Sequence, residues 1–136
     1  MFLVRRTINR AQSQVLVHQQ GLLLNTVRTW FHRHGYVEVY TPCTVESPAL
    51  EENIEAFPIG KEWLHTSPEF TMKKIIASGL CRIYQIAPCF RDDETGPHHS
   101  SEFRMLEWYR VGASSFDIMH ECISLVGNCY EVLNKQ

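Results

Sequence analysis

Two stretches of the chain concentrate residue types that can do chemistry. One is Phe90-Arg91-Asp92-Asp93, the other Glu102-Phe103-Arg104-Met105-Leu106-Glu107-Trp108-Tyr109-Arg110, and a polar loop separates them. On a strand, the period of two puts Phe103, Met105, Glu107 and Tyr109 on one face. A glutamate is out of place on an apolar face, because burying an unpaired carboxylate is costly. Glu107 therefore needs a cationic or hydrogen-bonding partner, supplied either by a ligand or by a salt bridge within the sheet. Arg91 stands where the preceding strand enters the loop, and a guanidinium there can clamp a phosphate or carboxylate through two parallel hydrogen bonds. His98 and His99 add donors in the same loop, and Phe103 offers a flat surface on which a base could stack. Together these parts resemble a nucleotide site. No phosphate-binding glycine loop of the P-loop or dinucleotide kind is present, so a different architecture is required.

The elements that must position these residues follow from periodicity and punctuation. Ser13 is placed to cap a first helix running to about His34, with Leu23, Val27, Trp30 and Phe31 as its apolar stripe and Gly35 as its stop. Tyr36 to Thr41 alternates as a strand that Pro42 ends. Thr44 to Ala56 reads as an acidic loop. Phe57–Ile59 and Trp63–His65 can pair as a hairpin around Gly60-Lys61. Ser67 as N-cap with Pro68 at the first helical position starts a helix that ends near Gly79. Arg82–Phe90 and Glu102–Val111 read as strands flanking the loop. A last helix starts at Ser114 or Ser115, with Met119, Ile123, Val126, Tyr130 and Leu133 as its apolar face. The class this implies is α+β, an antiparallel sheet flanked by helices.

A chain of 136 residues fits one domain. Its net charge of -2 gives no reason to expect strong non-specific attachment to nucleic acid or membrane. Arg5, Arg6 and Arg10 make a basic amino-terminal arm, read as a solvated tail rather than an RNA contact. Cys43, Cys81, Cys89, Cys122 and Cys129 include no C-x-x-C pair, and the opening residues do not form a signal-peptide core. Reduced thiols in a cytoplasmic protein fit best; a zinc site built from His98, His99 and these cysteines is the lesser alternative.

At this point a resemblance becomes specific. Phe90-Arg91-Asp92-Asp93, the loop, and Glu102-Phe103-x-Met105-x-Glu107 resemble motif 2 of class II aminoacyl-tRNA synthetases. The helix ending at Gly35, followed by Tyr36-Val37-Glu38-Val39-Tyr40-Thr41-Pro42, is similar to motif 1. His65-Thr66-Ser67-Pro68-Glu69-Phe70 through Lys73 resembles the Thr-Ser-Pro-Glu segment of the lysyl branch. The match spans roughly Gln20 to Tyr130. The Glu107-Trp108-Tyr109-Arg110 ending resembles stand-alone ligases of that branch, which attach β-lysine to elongation factor P.

That resemblance implies roles. Arg91 would be the catalytic residue, holding the ATP α-phosphate and the amino-acid carboxylate. Asp93, His99, Ser100 and Phe103 would complete the ATP site, with Asp93 reading the adenine amino group, His99 lying along the triphosphate and Phe103 stacking on adenine. Glu69 would accept the α-amino group, and Glu107 with Tyr109 the ε-ammonium of lysine or β-lysine. The chain departs from the family at Ser100-Ser101, where Asn-Pro is common, at Pro97, where a basic residue is common, and at Asp93, where glutamate is usual. The implied activity is ATP- and Mg2+-dependent adenylate formation, with transfer to a lysine of elongation factor P; a lysyl-tRNA synthetase core charging tRNA(Lys) is the alternative. Only about twenty residues precede the motif 1 segment, too few for the anticodon-binding domain of lysyl-tRNA synthetases. Nothing after Tyr109 resembles motif 3 or the later magnesium ligands. Residues 1–136 thus read as one partial catalytic domain, expected to be inactive by itself. A non-catalytic dimerisation module is the reading from another class, because motif 1 builds the family's dimer interface, and Trp30, Phe31 and Val37 form an apolar set able to seek a second copy.

Overall fold

In the computed structural model, the described residues are 10–49, 51–92, 96 and 99–135. Their elements run α1 (Arg10–Arg33), β1 (Val37–Glu38), β2 (Thr44–Val45), β3 (Pro58–Ile59), β4 (Glu62–Leu64), α2 (Glu69–Ala77), β5 (Arg82–Phe90), β6 (Glu102–Arg110) and α3 (Ser115–Asn134). Arg5, Arg6, Asp93, Pro97 and His98 lie outside the described residues.

Helix α1 ends as its sequence demands. Tyr36 N donates to Phe31 O at 3.0 Å and Gly35 N to His32 O at 3.1 Å, with Gly35 at φ +75. These are the two bonds of a Schellman stop, and its hydrophobic contact is the edge-on packing of Phe31 and Tyr36 at 5.0 Å. The turn reverses the chain so that β1 enters the main sheet.

The main sheet has the order β1-β5-β6. Strands β5 and β6 pair antiparallel from Arg82↔Arg110 to Phe90↔Glu102, as the alternation on both sides of the loop predicts. Strand β1 lies parallel to β5, pairing Val37↔Ile83, so the sheet is mixed rather than wholly antiparallel. A second, antiparallel sheet has the order β2-β4-β3. Its β3–β4 hairpin closes at Ile59↔Glu62 over Gly60-Lys61, with Gly60 at φ +65, the conformation a two-residue hairpin turn asks of glycine. Strand β2 was not expected: Thr44–Val45 sits in a stretch that reads as acidic loop, yet it pairs with Leu64 and Trp63. Two residues are too few to show alternation, and the free edge of β4 is what recruits them.

Directly paired residues of an antiparallel sheet share a face. Tyr84, Ile86, Leu106 and Trp108 pack against Val27, Trp30, Phe31, Tyr36, Leu125 and Cys129 of the α1–α3 layer. On the opposite face, Ile83 and Tyr109 meet Val39, Met72, Ile75 and Ile76. Phe31 stacks on Tyr84 at 4.3 Å at the centre of the first layer. Trp30 and Phe31 are therefore core residues, with no surface to offer a second copy; of the expected association set only Val37 is exposed.

Three helix expectations are corrected: α1 is already helical at Arg10, so Ser13 lies inside it and does not cap it. Pro68 occupies the cap position of α2 without a side-chain cap, and the Ser67 hydroxyl accepts from Glu69 N at 3.4 Å, a long bond. Helix α3 begins with a capping box between Ser114 and Asp117, but most of its expected apolar face points outward, with only Leu133 half-buried. Ile123 is 69% exposed, and Met119, Val126 and Tyr130 are exposed with it, while Leu125 is 5% exposed. The rotation follows from hydrogen bonding. Glu121 must reach three donors on the sheet side, and Trp30 Nε1 donates to Ser124 Oγ at 3.1 Å. Apolar spacing shows which residues share a face; polar satisfaction decided which face is buried.

Candidate active site

The sheet face opposite α1 and α3 carries the chemistry. Register places Phe103 beside Cys89, Met105 beside Ala87, Glu107 beside Gln85 and Tyr109 beside Ile83. Phe103, Glu107 and Tyr109 thus share a face, as strand periodicity predicts. Gln85 is buried, and its Oε1 accepts from Thr41 Oγ1 at 3.1 Å, tying the segment after β1 to this face.

At one end, Arg91 follows the last residue of β5. Its backbone N–H donates to Ser101 O at 2.9 Å, so the loop strands stay joined beyond the ladder. Its guanidinium carbon lies 5.1 Å from the Phe103 ring centroid, and its Nε–H donates to Thr66 O at 3.4 Å. Arg91 and Phe103 are brought together, a cation beside an aromatic face. Ser100 is half-buried and precedes Ser101; His99 is exposed, its N–H donating to Gly96 O at 3.3 Å. The expectation for Asp93 falls outside the described residues.

At the other end sit two carboxylates. Glu107 is half-buried and accepts from the Tyr109 hydroxyl. Burial, the largest influence, pushes its carboxyl up; the negative charge of Glu69 adds to this, while the Tyr109 hydrogen bond, Lys73 and His65 oppose it. The Tyr109 hydroxyl is pushed up too, first by burial and then by donating to Glu107. Among the described residues no salt bridge reaches Glu107. Its partner inside the protein is therefore the Tyr109 hydroxyl, not a cation in the sheet. Glu69, the first residue of α2, pairs with Lys73 one turn on. An exposed i,i+4 pair is worth about 0.3–0.5 kcal/mol, little enough for an incoming ammonium to displace Lys73. Glu69, Glu107 and Tyr109 thus form an acidic, partly desolvated end of the face, with one weakly held cation.

The residues beneath the face stand in quoted segments of the sequence but carried no expected role at this site. His65 and Thr66, each 2% exposed, lie between the small sheet and β5. The available signal is a histidine closing an otherwise apolar strand just before the Ser-Pro helix start. The Cys89 thiol, also buried, is pushed up by that burial to about 12 and stays protonated at neutral pH. All five cysteines are free thiols. Among the described residues no group of three or more His, Cys, Asp or Glu is placed to hold a metal ion. No described helix is long and apolar enough to cross a membrane. A shallow groove beside Ser13, Gln14, Val17 and His18 lies on α1 and shares no residue with the chemistry.

Comparison with known proteins agrees with this geometry. The family of class II tRNA synthetases (D, K and N) matches residues 4–136. The elongation factor P (R)-β-lysine ligase homolog of Aquifex aeolicus is 38% identical over 115 residues, covering 79% of this chain and 39% of that protein. The elongation factor P (R)-β-lysine ligase of Vibrio vulnificus is 37% identical over 120 residues, covering 81% of this chain and 37% of the ligase. The chain thus spans under two fifths of the length of these relatives. Among solved structures, asparaginyl-tRNA synthetase from Pyrococcus horikoshii, complexed with asparaginyl-adenylate, superposes with a TM-score of 0.81 at 22% identity, covering 92% of this chain and 30% of that one. A match over nearly every residue, with Arg91, Phe103 and Glu107 on one sheet face, leaves one assignment: the chain belongs to the class II tRNA synthetase family of the aspartyl, lysyl and asparaginyl type.

Proposed function

We propose that this chain provides the ATP- and diamino-acid-binding face of a ligase that activates lysine or β-lysine and passes it to a lysine side chain of elongation factor P. The observation that carries the reading is the half-buried Glu107, on the same face as Arg91 and Phe103, with no salt-bridge cation among the described residues and Glu69 near enough to push its carboxyl up. A site of this kind favours a diamino acid, with one ammonium group near its carboxylate for Glu69 and a second farther along the chain for Glu107. The names of the similar ligases in Aquifex aeolicus and Vibrio vulnificus support the acceptor.

In the proposed reaction, an oxygen of the amino-acid carboxylate attacks the α-phosphorus of ATP. The bond from that phosphorus to the bridging oxygen breaks, and pyrophosphate leaves with the electron pair. Arg91 holds the attacking carboxylate and the α-phosphate together, neutralising charge as it shifts between them. Phe103 stacks on adenine, Ser100 and His99 lie along the phosphates, and Asp93 reads the adenine amino group. Glu69 and Glu107, with Tyr109 orienting Glu107, hold the two ammonium groups. The acceptor lysine nitrogen then attacks the acyl carbon, AMP leaves, and the nitrogen loses a proton. Magnesium would neutralise the leaving pyrophosphate.

The test is calorimetric binding of lysine, β-lysine and norleucine to this chain. Norleucine keeps the α-amino and carboxylate groups and lacks the ε-ammonium. Lysine or β-lysine should bind at least about tenfold more tightly than norleucine, the equivalent of about 1.4 kcal/mol. Equal binding of all three, or binding of none, overturns the reading. Transfer of radiolabelled amino acid by the complete ligase to elongation factor P, and not to tRNA(Lys), tests the acceptor.

A further inference from the structure

We propose that His65 is a positioning residue: its imidazole anchors the end of β5 and thereby sets where the Arg91 guanidinium points. This rests on the reading of Arg91 as the phosphate-binding residue.

The edge of β5 that faces away from β6 is served by two different neighbours. Its first part pairs with β1, and the last bond on that side is Val39 N to Tyr84 O at 2.9 Å. Beyond that point β1 has ended, and the carbonyls of β5 on this edge need other donors. At Pro88 the donor is His65 Nε2, 2.6 Å from Pro88 O. Two residues further on, Phe90 N donates to His65 O at 3.1 Å, and His65 N itself donates to Cys43 O at 2.8 Å. One residue thus holds both edge groups of β5 immediately before Arg91 and ties them to the small sheet. Thr66, the next residue, offers the carbonyl that accepts from Arg91 Nε. Arg91 is gripped through its backbone neighbour and through its own side chain by the same dipeptide.

Packing alone does not explain an imidazole at this position. A carbonyl cannot donate, so Nε2 carries the proton, and a neutral ring then leaves Nδ1 bare. That Nδ1 is buried with no hydrogen-bond partner among the described residues, and so is Thr66 Oγ1. Buried orphan polar atoms are costly, and an aliphatic side chain at residue 65 would avoid one of them. What the histidine supplies in return is a side-chain N–H on the edge where no strand provides one. The proline at residue 88 fits the same account: its ring nitrogen lies on the edge facing His65, so the missing donor costs the β5–β6 ladder nothing.

The experiment compares wild type, His65→Leu, His65→Gln, Arg91→Ala and the double variant His65→Leu/Arg91→Ala, all in this chain. Leucine removes the donor, whereas glutamine keeps a side-chain N–H able to reach a carbonyl. ATP and lysine affinities are measured by calorimetry, and the Arg91 Nε–H and His65 ring nitrogens by 15N NMR. His65→Leu should weaken ATP binding about tenfold, weaken lysine binding no more than Arg91→Ala does, shift the Arg91 Nε–H resonance, and add nothing in the Arg91→Ala background. His65→Gln should restore most of the loss. A merely structural histidine would add to Arg91→Ala and gain nothing from glutamine; either result overturns the proposal. Should His65→Leu fail to fold, the wild-type ring nitrogens decide: a proton on Nδ1 with Nε2 bare sinks it, and Nε2–H together with a native Arg91 resonance in His65→Gln supports it. If wild type binds neither ATP nor lysine, the ligase reading fails, while the response of the Arg91 resonance to His65→Leu still decides the positioning role.

Discussion

The hydroxyl of Tyr36, just past the end of α1, donates to Oε2 of Glu121 on α3 at 2.6 Å, across 85 residues of sequence. The same oxygen accepts from Trp108 Nε1 at 3.3 Å, and Oε1 from Arg110 Nη1 at 2.9 Å. One carboxylate therefore joins the α1 stop, strand β6 and helix α3. Burial first, and then this bond, pushes the Tyr36 hydroxyl upward.

Glu121→Ala should destabilise the fold by about 1–3 kcal/mol, because it leaves the buried Tyr36 hydroxyl and the half-buried Trp108 N–H without their acceptor. Urea denaturation reads the effect. The raised Tyr36 hydroxyl adds a sign. Its contribution to stability is complete below the ordinary tyrosine value of 10.0 and is lost as pH rises past it. Wild type should therefore lose stability above pH 10 more steeply than Tyr36→Phe. Parallel profiles would break the link.

Glu107→Gln should separate stability from binding. The carboxyl is raised above its ordinary value of 4.5, mainly by burial, so the contribution of Glu107 to the stability of the empty protein is greatest below that pH and is lost as pH rises through the folded value. Glutamine removes that loss, so the variant should melt higher than wild type at pH 7 and equally at pH 4. Lysine binding should weaken by about 2 kcal/mol, the order expected for truncating one partner of a desolvated charge pair. A variant that melts lower at neutral pH, or binds lysine unchanged, contradicts this account of Glu107.

Tyr109→Phe removes the hydroxyl that opposes the effect of burial on Glu107. The Glu107 carboxyl should titrate higher still in that variant, read from its 13C resonance against pH. A lower or unmoved value would show that the hydroxyl does not stabilise the ionised form.

The rotation of α3 is open to direct test. Leu125→Ala should cost about 2–5 kcal/mol, since Leu125 is packed in the α1–α3 layer. Ile123→Ala, on the outward face, should stay within about 0.5 kcal/mol of wild type apart from helix propensity. Comparable losses at the two positions would mean that the helix faces the other way.

Much of this protein is legible in the chain because the relevant forces are local. The Gly35 stop, the Gly60 turn, the Ser114 capping box and the nine-residue alternation of β5 and β6 act over a few residues, and periodicity alone puts Phe103, Glu107 and Tyr109 on one face. Other features depend on partners distant in sequence. Strand β2 exists because β4 offers an edge; α3 turns Leu125 inward because Tyr36, Trp108 and Arg110 converge on Glu121; and Glu107 meets Glu69 only where α2 is laid against the sheet. His65 is the sharpest case. In the sequence it is one more strand residue before a helix start, and its Nε2–H acquires a purpose only because β1 stops short and leaves the Pro88 carbonyl without a donor. A hydrogen-bond requirement created by one element and met by another is a property of their packing, so it could be decided only in three dimensions.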